Sequence, residues 1–267
     1  MSETLVVNEI YLSLQGESTY AGLPCVFVRL TACNLRCSYC DTAYAFAEGK
    51  RRSLDSIRAA VLRLAKPFQP AKATVAPAAP REGTHGTSTG GGAGGGGLRL
   101  PLVELTGGEP LLQPGALPLM RALCDDGWTV LLETSGALDI ARVDARVHRI
   151  MDLKCPSSGE VERNRWENLD HLRGFDEIKF VIGTQEDYAW AKERIAEHRL
   201  EQVCPLLCSW VHPLAPAQQE PTLKQVPAGQ TPITRQELAE RILADALPVR
   251  FQLQLHKVIW PATQRGV

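Results

Sequence analysis

What the chain lacks narrows its reading first. It has no surplus of charge: 29 lysines and arginines stand against 30 aspartates and glutamates, a net charge of −1. No basic surface for nucleic acid is therefore expected. No apolar run approaches the roughly 18 residues of a membrane-spanning helix. The opening Met1-Ser2-Glu3-Thr4 has neither the basic nor the apolar part of an export signal. A cytoplasmic protein with no membrane partner is expected. Two phosphate signatures are also missing. No Gly-x-Gly-x-x-Gly follows the first apolar strand pattern, and the glycine-rich run at 90–97 lacks the Gly-Lys-Ser/Thr that would enter a helix.

Hydrophobic content of 44% against 22% charged is ordinary for a packed core. A length of 267 residues suits one sizeable α/β domain. We read 1–267 as a single domain carrying one insertion, about 67–97. That stretch is rich in Pro, Ala, Thr and Gly, and its few apolar side chains would not offset its ordering entropy, which predicts a flexible surface segment.

Eight cysteines could staple a small secreted protein, but three of them fall within eight residues, Cys33-x3-Cys37-x2-Cys40. Such spacing folds one loop around one metal centre, and thiolates select zinc, copper(I) or iron–sulfur clusters. A closed zinc site needs four protein ligands. The run supplies three, and His85 lies beyond a long glycine-rich stretch. A three-thiolate 4Fe–4S cluster would leave one iron open for chemistry. A zinc knuckle with a remote ligand, or a chance grouping of buried thiols, are the alternatives. Cys25, Cys124, Cys155, Cys204 and Cys208 are read as packing residues, since free cysteine is among the most buried types.

Along the chain, Leu5–Leu14 reads as extended and Pro24–Leu30 as a buried strand from whose end the cysteine loop hangs. Further strands are expected at Leu100–Leu105, Thr129–Leu132, Arg149–Lys154, Glu177–Ile182, Val203–Val211 and Val249–Leu255. Helices are expected at Leu54–Lys66 behind a Ser53 cap, and at Leu117–Asp126, Asn164–Leu172, Gln185–His198 and Arg235–Ala246. The last follows Thr234, with Glu237 at the capping-box position. A weak helical pattern lies near Ala141–Ala145. Alternating strands and helices imply parallel β-α units. About six of them make an incomplete TIM-type barrel, with a doubly wound open sheet as the alternative.

Three strand ends carry polar signals. Thr106-Gly107-Gly108-Glu109-Pro110 offers exposed backbone groups for the ends of a zwitterion. Glu133-Thr134-Ser135-Gly136 suits hydroxyls or a polar heterocycle, and Asp152-Leu153-Lys154 ends the next strand.

The cysteine spacing, with aromatic Tyr39 before Cys40, resembles the radical S-adenosylmethionine (SAM) superfamily, and the Gly-Gly-Glu run agrees. The resemblance implies a radical SAM core in which Cys33, Cys37 and Cys40 hold a 4Fe–4S cluster. Its open iron would be chelated by SAM, lined by Tyr39, Cys40, Asp41, Gly108, Glu109, Ser135, Asp152, Leu153 and Lys154. Leu14-Gln15-Gly16-Glu17, Arg29, Cys40-Asp41-Thr42 and the closing Leu253-Gln254-Leu255-His256-Lys257-Val258-Ile259-Trp260 further resemble the 7-carboxy-7-deazaguanine synthase family. That resemblance covers nearly the whole chain outside the insertion. It implies conversion of 6-carboxy-5,6,7,8-tetrahydropterin to 7-carboxy-7-deazaguanine with loss of ammonia, on the path to queuosine. It further implies Mg2+ at Thr42, and substrate contacts from Leu14, Gln15, Gly16, Glu17, Arg29, Thr106, Glu133 and His256. A homodimer and a flavodoxin electron donor come with it. The rival readings are a glycyl-radical-enzyme activating enzyme, which shares the first motifs, and a zinc-binding interaction module.

Overall fold

The computed structural model describes residues 3–68 and 98–267. Most of the insertion, and His85 within it, lie outside the described residues. Among the described residues nine strands form one sheet. They are β1 (Thr4–Leu14), β2 (Pro24–Leu30), β3 (Lys50–Ser53), β4 (Leu102–Gly107), β5 (Val130–Thr134), β6 (His148–Asp152), β7 (Glu177–Ile182), β8 (Leu206–Trp210) and β9 (Arg250–Gln252). The order is β3-β1-β2-β4-β5-β6-β7-β8-β9. β1 runs antiparallel to both β2 and β3, and every pairing from β2 through β9 is parallel. The edges β3 and β9 do not pair with each other, so the barrel stays open, as expected of an incomplete one.

The crossovers carry helices α1 (Leu54–Ala65), α2 (Ala116–Asp125), α3 (Gln185–His198) and α4 (Arg235–Ala244), and α5 (Leu255–Ile259) follows β9. The caps form as the sequence predicts. Ser53 accepts from Ser56 N–H, and Thr234 and Glu237 close a reciprocal capping box. No helix of the described residues is long and apolar enough to cross a membrane.

Side chains alternate across each strand, and this alternation builds the site. Outward residues such as Val28, Leu105, Leu132, Met151 and Phe180 join Ile57, Leu119, Leu123 and Ile195 of the helices in the main core. Inward residues sort by depth. Cys25, Leu102, Leu131 and Ile150 form a small apolar floor, closed by Tyr20 and Leu23. Above that floor the inward positions turn polar.

The structure adds one strand, revises one helix and one strand end, and leaves the weak pattern at 141–145 without a helix. β3 was not anticipated; its Lys-Arg-Arg-Ser sequence is polar, and pairing with β1 holds it in strand form. Asn164–Leu172 is not an α-helix but a 3-10 turn, Trp166–His171. There the fully buried Asn168 ties the segment down, donating to Gly136 and Leu138 carbonyls. No helix forms at 141–145. The last strand stops at Gln252, because Leu255 N–H donates to Gly16 O and the chain turns into α5.

Candidate active site

The cysteine loop leaves β2 through Ala32, which sits at a positive φ of 79°. Gly107 and Gly108 pack against that exit. A Cβ on Gly107, at φ +140°, would stand 2.2 Å from Leu30 O, and one on Gly108 would stand 2.0 Å from Ala32 O. The glycines are therefore required by backbone contact alone. Buried Leu35 anchors the loop from within. Arg36 N–H donates to Glu160 (2.7 Å), Ser38 Oγ donates to Ser157 O (2.6 Å), and Lys224 N–H donates to Arg36 O (2.8 Å).

Cys33, Cys37 and Cys40 line one cavity of about 380 Å³. Burial pushes all three thiols up, Cys37 to about 12. Burial thus disfavours the thiolates that iron binds, and a bound metal centre would itself supply the positive charge that stabilises them. Among the described residues, no three His, Cys, Asp or Glu side chains converge tightly enough to hold a single ion. A structural zinc ion needs four donors at about 2.0–2.3 Å, whereas a cluster is a larger body that takes one thiolate per iron. Three thiols lining one space fit such a cluster.

Beside the thiols stand Asp152 and Lys154, with Nζ 2.6 Å from Oδ2. Burial works against the lysine charge, but the Asp152 carboxylate outweighs it and holds Lys154 above its usual value. Asp152 Oδ1 and the Tyr39 hydroxyl are buried with no partner among the described residues. Both residues line the cavity, so unsatisfied polar atoms await a polar ligand next to the cysteines.

Glu109 and Leu153 do not line the cavity. Leu153 is core. Glu109 is fully buried, and its carboxylate accepts from Leu111 N–H (3.0 Å), Thr134 Oγ1 (3.0 Å), Ser135 N–H (2.8 Å) and Ser135 Oγ (2.7 Å). Its own N–H donates to Ala32 O (2.8 Å). It ties the ends of β4 and β5 to the cysteine loop. The other residues expected at the site, namely Tyr39, Asp41, Thr42, Gly108, Ser135, Asp152, Lys154, Leu14, Gln15, Gly16, Glu17, Arg29, Thr106, Glu133 and His256, all face this one space.

Its far end is a charge cluster on the inner face. Lys179 on β7 pairs with Glu133 on β5 and with Glu17 (3.3 Å). Burial alone would raise Glu133, but the Lys179 ammonium holds it below the usual carboxylate value. Thr106 Oγ1 donates to Glu133 (3.1 Å). Arg29 Nε donates to Glu9 (2.7 Å) and its Nη2 to the Tyr11 hydroxyl (2.7 Å). This leaves Nη1 with no partner among the described residues. Tyr11 and Phe27 stack at 5.1 Å and offer an aromatic wall. At the mouth, Lys257 Nζ lies 2.5 Å from Asp41 Oδ2, Gln254 bridges Asp41 and Glu17, and His256 Nδ1 lies 3.8 Å from Glu17.

Tyr11, Phe27, Glu104 and Lys179 are site residues that motif reading missed. Their signal was available: Glu104 and Lys179 are charges set at alternate positions inside otherwise apolar strands.

A parallel partial barrel with an open-sided three-cysteine loop at its strand ends, facing a polar pocket, defines a radical SAM enzyme. QueE from Escherichia coli has the same fold: TM-score 0.62 over 94% of each chain, at 19% identity. Streptococcus suis SuiB bound to S-adenosylmethionine matches at TM-score 0.52, covering 84% of this chain and 48% of SuiB. No family model matches the chain. Whole-chain relatives do. The 7-carboxy-7-deazaguanine synthase of Koribacter versatilis is 43% identical over 98% of this chain and 99% of its own length. That of Chlorobaculum tepidum is 40% identical over 98% and 97%. The chain belongs to the 7-carboxy-7-deazaguanine synthase family, whose members are lyases.

Proposed function

We propose that this single-domain chain converts 6-carboxy-5,6,7,8-tetrahydropterin to 7-carboxy-7-deazaguanine with release of ammonia. The observation that carries this reading is one cavity with three thiols at one end and a carboxylate–ammonium cluster with an aromatic wall at the other. Cys33, Cys37 and Cys40 would hold a 4Fe–4S cluster. When bound, the cluster supplies the electron that cleaves SAM and so starts hydrogen abstraction from the substrate.

The chain's own residues bind, orient and enclose. Asp152, Lys154, Tyr39, Gly108 and Ser135 would receive SAM beside the thiols, with Asp41 and the backbone of Cys40, while Glu109 and Leu153 support that wall from behind. The free Nη1 of Arg29 offers a cation to the pterin carboxylate. Leu14, Gln15, Gly16, Glu17, Thr106, Glu133 and His256 surround the ring. The ring would lie against Phe27, where the Tyr11–Phe27 stack gives a flat apolar surface. Thr42 Oγ1 would give Mg2+ a hard oxygen, the remaining positions being water and substrate oxygens. Asp41 is engaged by Lys257, whereas Thr42 Oγ1, which meets Cys40 Sγ at 3.8 Å, keeps lone pairs for a cation.

A cavity of about 380 Å³ lined by paired charges and an aromatic wall favours a small molecule over the protein loop that a glycyl-radical activating enzyme must admit. A flavodoxin donor, a homodimer and a cytoplasmic location complete the reading and rest on family resemblance. The test is anaerobic purification and reconstitution, with iron, sulfide and zinc counted, followed by turnover with this pterin. About four irons and four sulfides per chain with deazaguanine formed is the expected result. Zinc alone, or a loaded cluster with no product, would refute it.

A further inference from the structure

The carboxylates at the far end of the cavity outnumber their cation. Lys179 is engaged by Glu133 and Glu17, which leaves Glu104, only 1% exposed, with no ion-pair contact among the described residues. The protein hydrogen bond to its carboxyl comes from Gln15 Nε2, 3.1 Å from Oε2. That donor is fixed, because Gln15 Oε1 already accepts from Glu17 N–H (2.9 Å) and Ser18 N–H (3.0 Å). Oε2 is thereby marked as the acceptor, Oε1 has no partner among the described residues, and Glu104 lines the cavity.

We propose that Glu104 is a specificity-determining residue that reads the lactam edge of the bound pterin as a neutral carboxylic acid. Oε1–H donates to the ring carbonyl oxygen, and the second lone pair of Oε2 accepts the adjacent ring N–H. This inference rests on the pterin reading of the cavity. The register supports the pose. Arg29 pairs with Thr106, and Phe27 pairs with Glu104 one side-chain period deeper. Two residues along a parallel strand span roughly 7 Å, about the distance from the carboxylate of a bicyclic pterin to its pyrimidine edge. Carboxylate at Arg29 and lactam at Glu104 thus fit one ligand.

The ionisable groups facing Glu104 are Tyr11 on β1, Glu17 in the following turn, Cys25 and Arg29 on β2, Glu133 on β5 and Lys179 on β7. Burial first, and the neighbouring Glu133 charge second, push Glu104 up to about 8. The geometry already asks for this protonation state, since a buried carboxylate without a counter-ion takes up a proton instead.

The test is equilibrium binding of 6-carboxy-5,6,7,8-tetrahydropterin to the reconstituted protein, anaerobically and without reductant so that no turnover occurs. Glu104→Gln keeps one donor and one acceptor, and Glu104→Ala keeps neither. At pH 7, E104A should weaken binding about tenfold to a hundredfold, and E104Q only about threefold. Between pH 7 and 9 the wild type should lose affinity while E104Q does not. E104Q as weak as E104A, or both binding like wild type, overturns the proposal. Wild type failing to bind at any pH instead removes the pterin reading itself, and this inference with it. Melting temperatures of all three proteins show whether each is folded.

Discussion

Glu104 and Glu133 lie on neighbouring strands, yet their surroundings push their proton affinities apart. Glu133 has Lys179 and is held ionised; Glu104 has burial and a like charge. Such divergence separates acid from base in polar sites. It also has a stability consequence with a definite sign. In the unfolded chain a glutamate titrates near 4.3, and in the fold Glu104 titrates near 8. Between those values the folded state holds the extra proton, so stability falls as pH rises through that window. E104Q cannot ionise. It should melt close to wild type at pH 5 and above it at pH 8.5, and a constant gap across that range would contradict the assignment. Lys179 is the complementary case. It is 3% exposed and pairs two carboxylates, so Lys179→Met should cost about 3–5 kcal/mol by leaving buried charge unpaired, read by urea unfolding at pH 7. A loss under about 1 kcal/mol would mean that water screens the pair.

Among the elements, the loops at the ends of β4 and β5 bear on the cysteine loop, and Glu109 is the joint. Sequence reading places it against SAM, while the structure turns its carboxylate to Thr134 and Ser135. The two roles are separable. Glu109→Ala should lower the melting temperature of protein containing no SAM, by the equivalent of about 2–4 kcal/mol. An unchanged melting point with lost SAM affinity would restore the direct role. The elements themselves were largely legible, because strands buried on both faces read as apolar runs and helix caps carry their own signatures. The exceptions share one cause. β3 is held by β1, the Trp166–His171 turn by the Gly136 and Leu138 carbonyls to which Asn168 donates, and α5 by Gly16 and Asp41, all partners far away in sequence. The inward charges Glu104 and Lys179 were missed for a related reason: they mark a lumen only once the strands are known to curl.

At the scale of the molecule, the C-terminal segment reaches back to the turn after β1 and to the cysteine loop. Lys257, with 3% of its side chain exposed, reaches Asp41 beside Cys40, and Leu255 N–H meets Gly16 O. Burial would raise Asp41, but the Lys257 charge holds it below the usual range. The latch is therefore intact above the carboxylate range and weakens only as pH falls through it. Lys257→Met should speed amide exchange across 255–260 about tenfold or more by freeing α5, together with a loss of turnover. Unchanged exchange would show that α5 is held without the ion pair.

The central claim is that the thiol end and the pterin end belong to one reaction chamber, and anaerobic conversion of 6-carboxy-5,6,7,8-tetrahydropterin by wild type and Cys37→Ala tests it most directly. The account predicts 7-carboxy-7-deazaguanine and ammonia in equal amounts from wild type and neither from the variant, with pterin binding by the variant retained. Product from Cys37→Ala at the wild-type rate would contradict it.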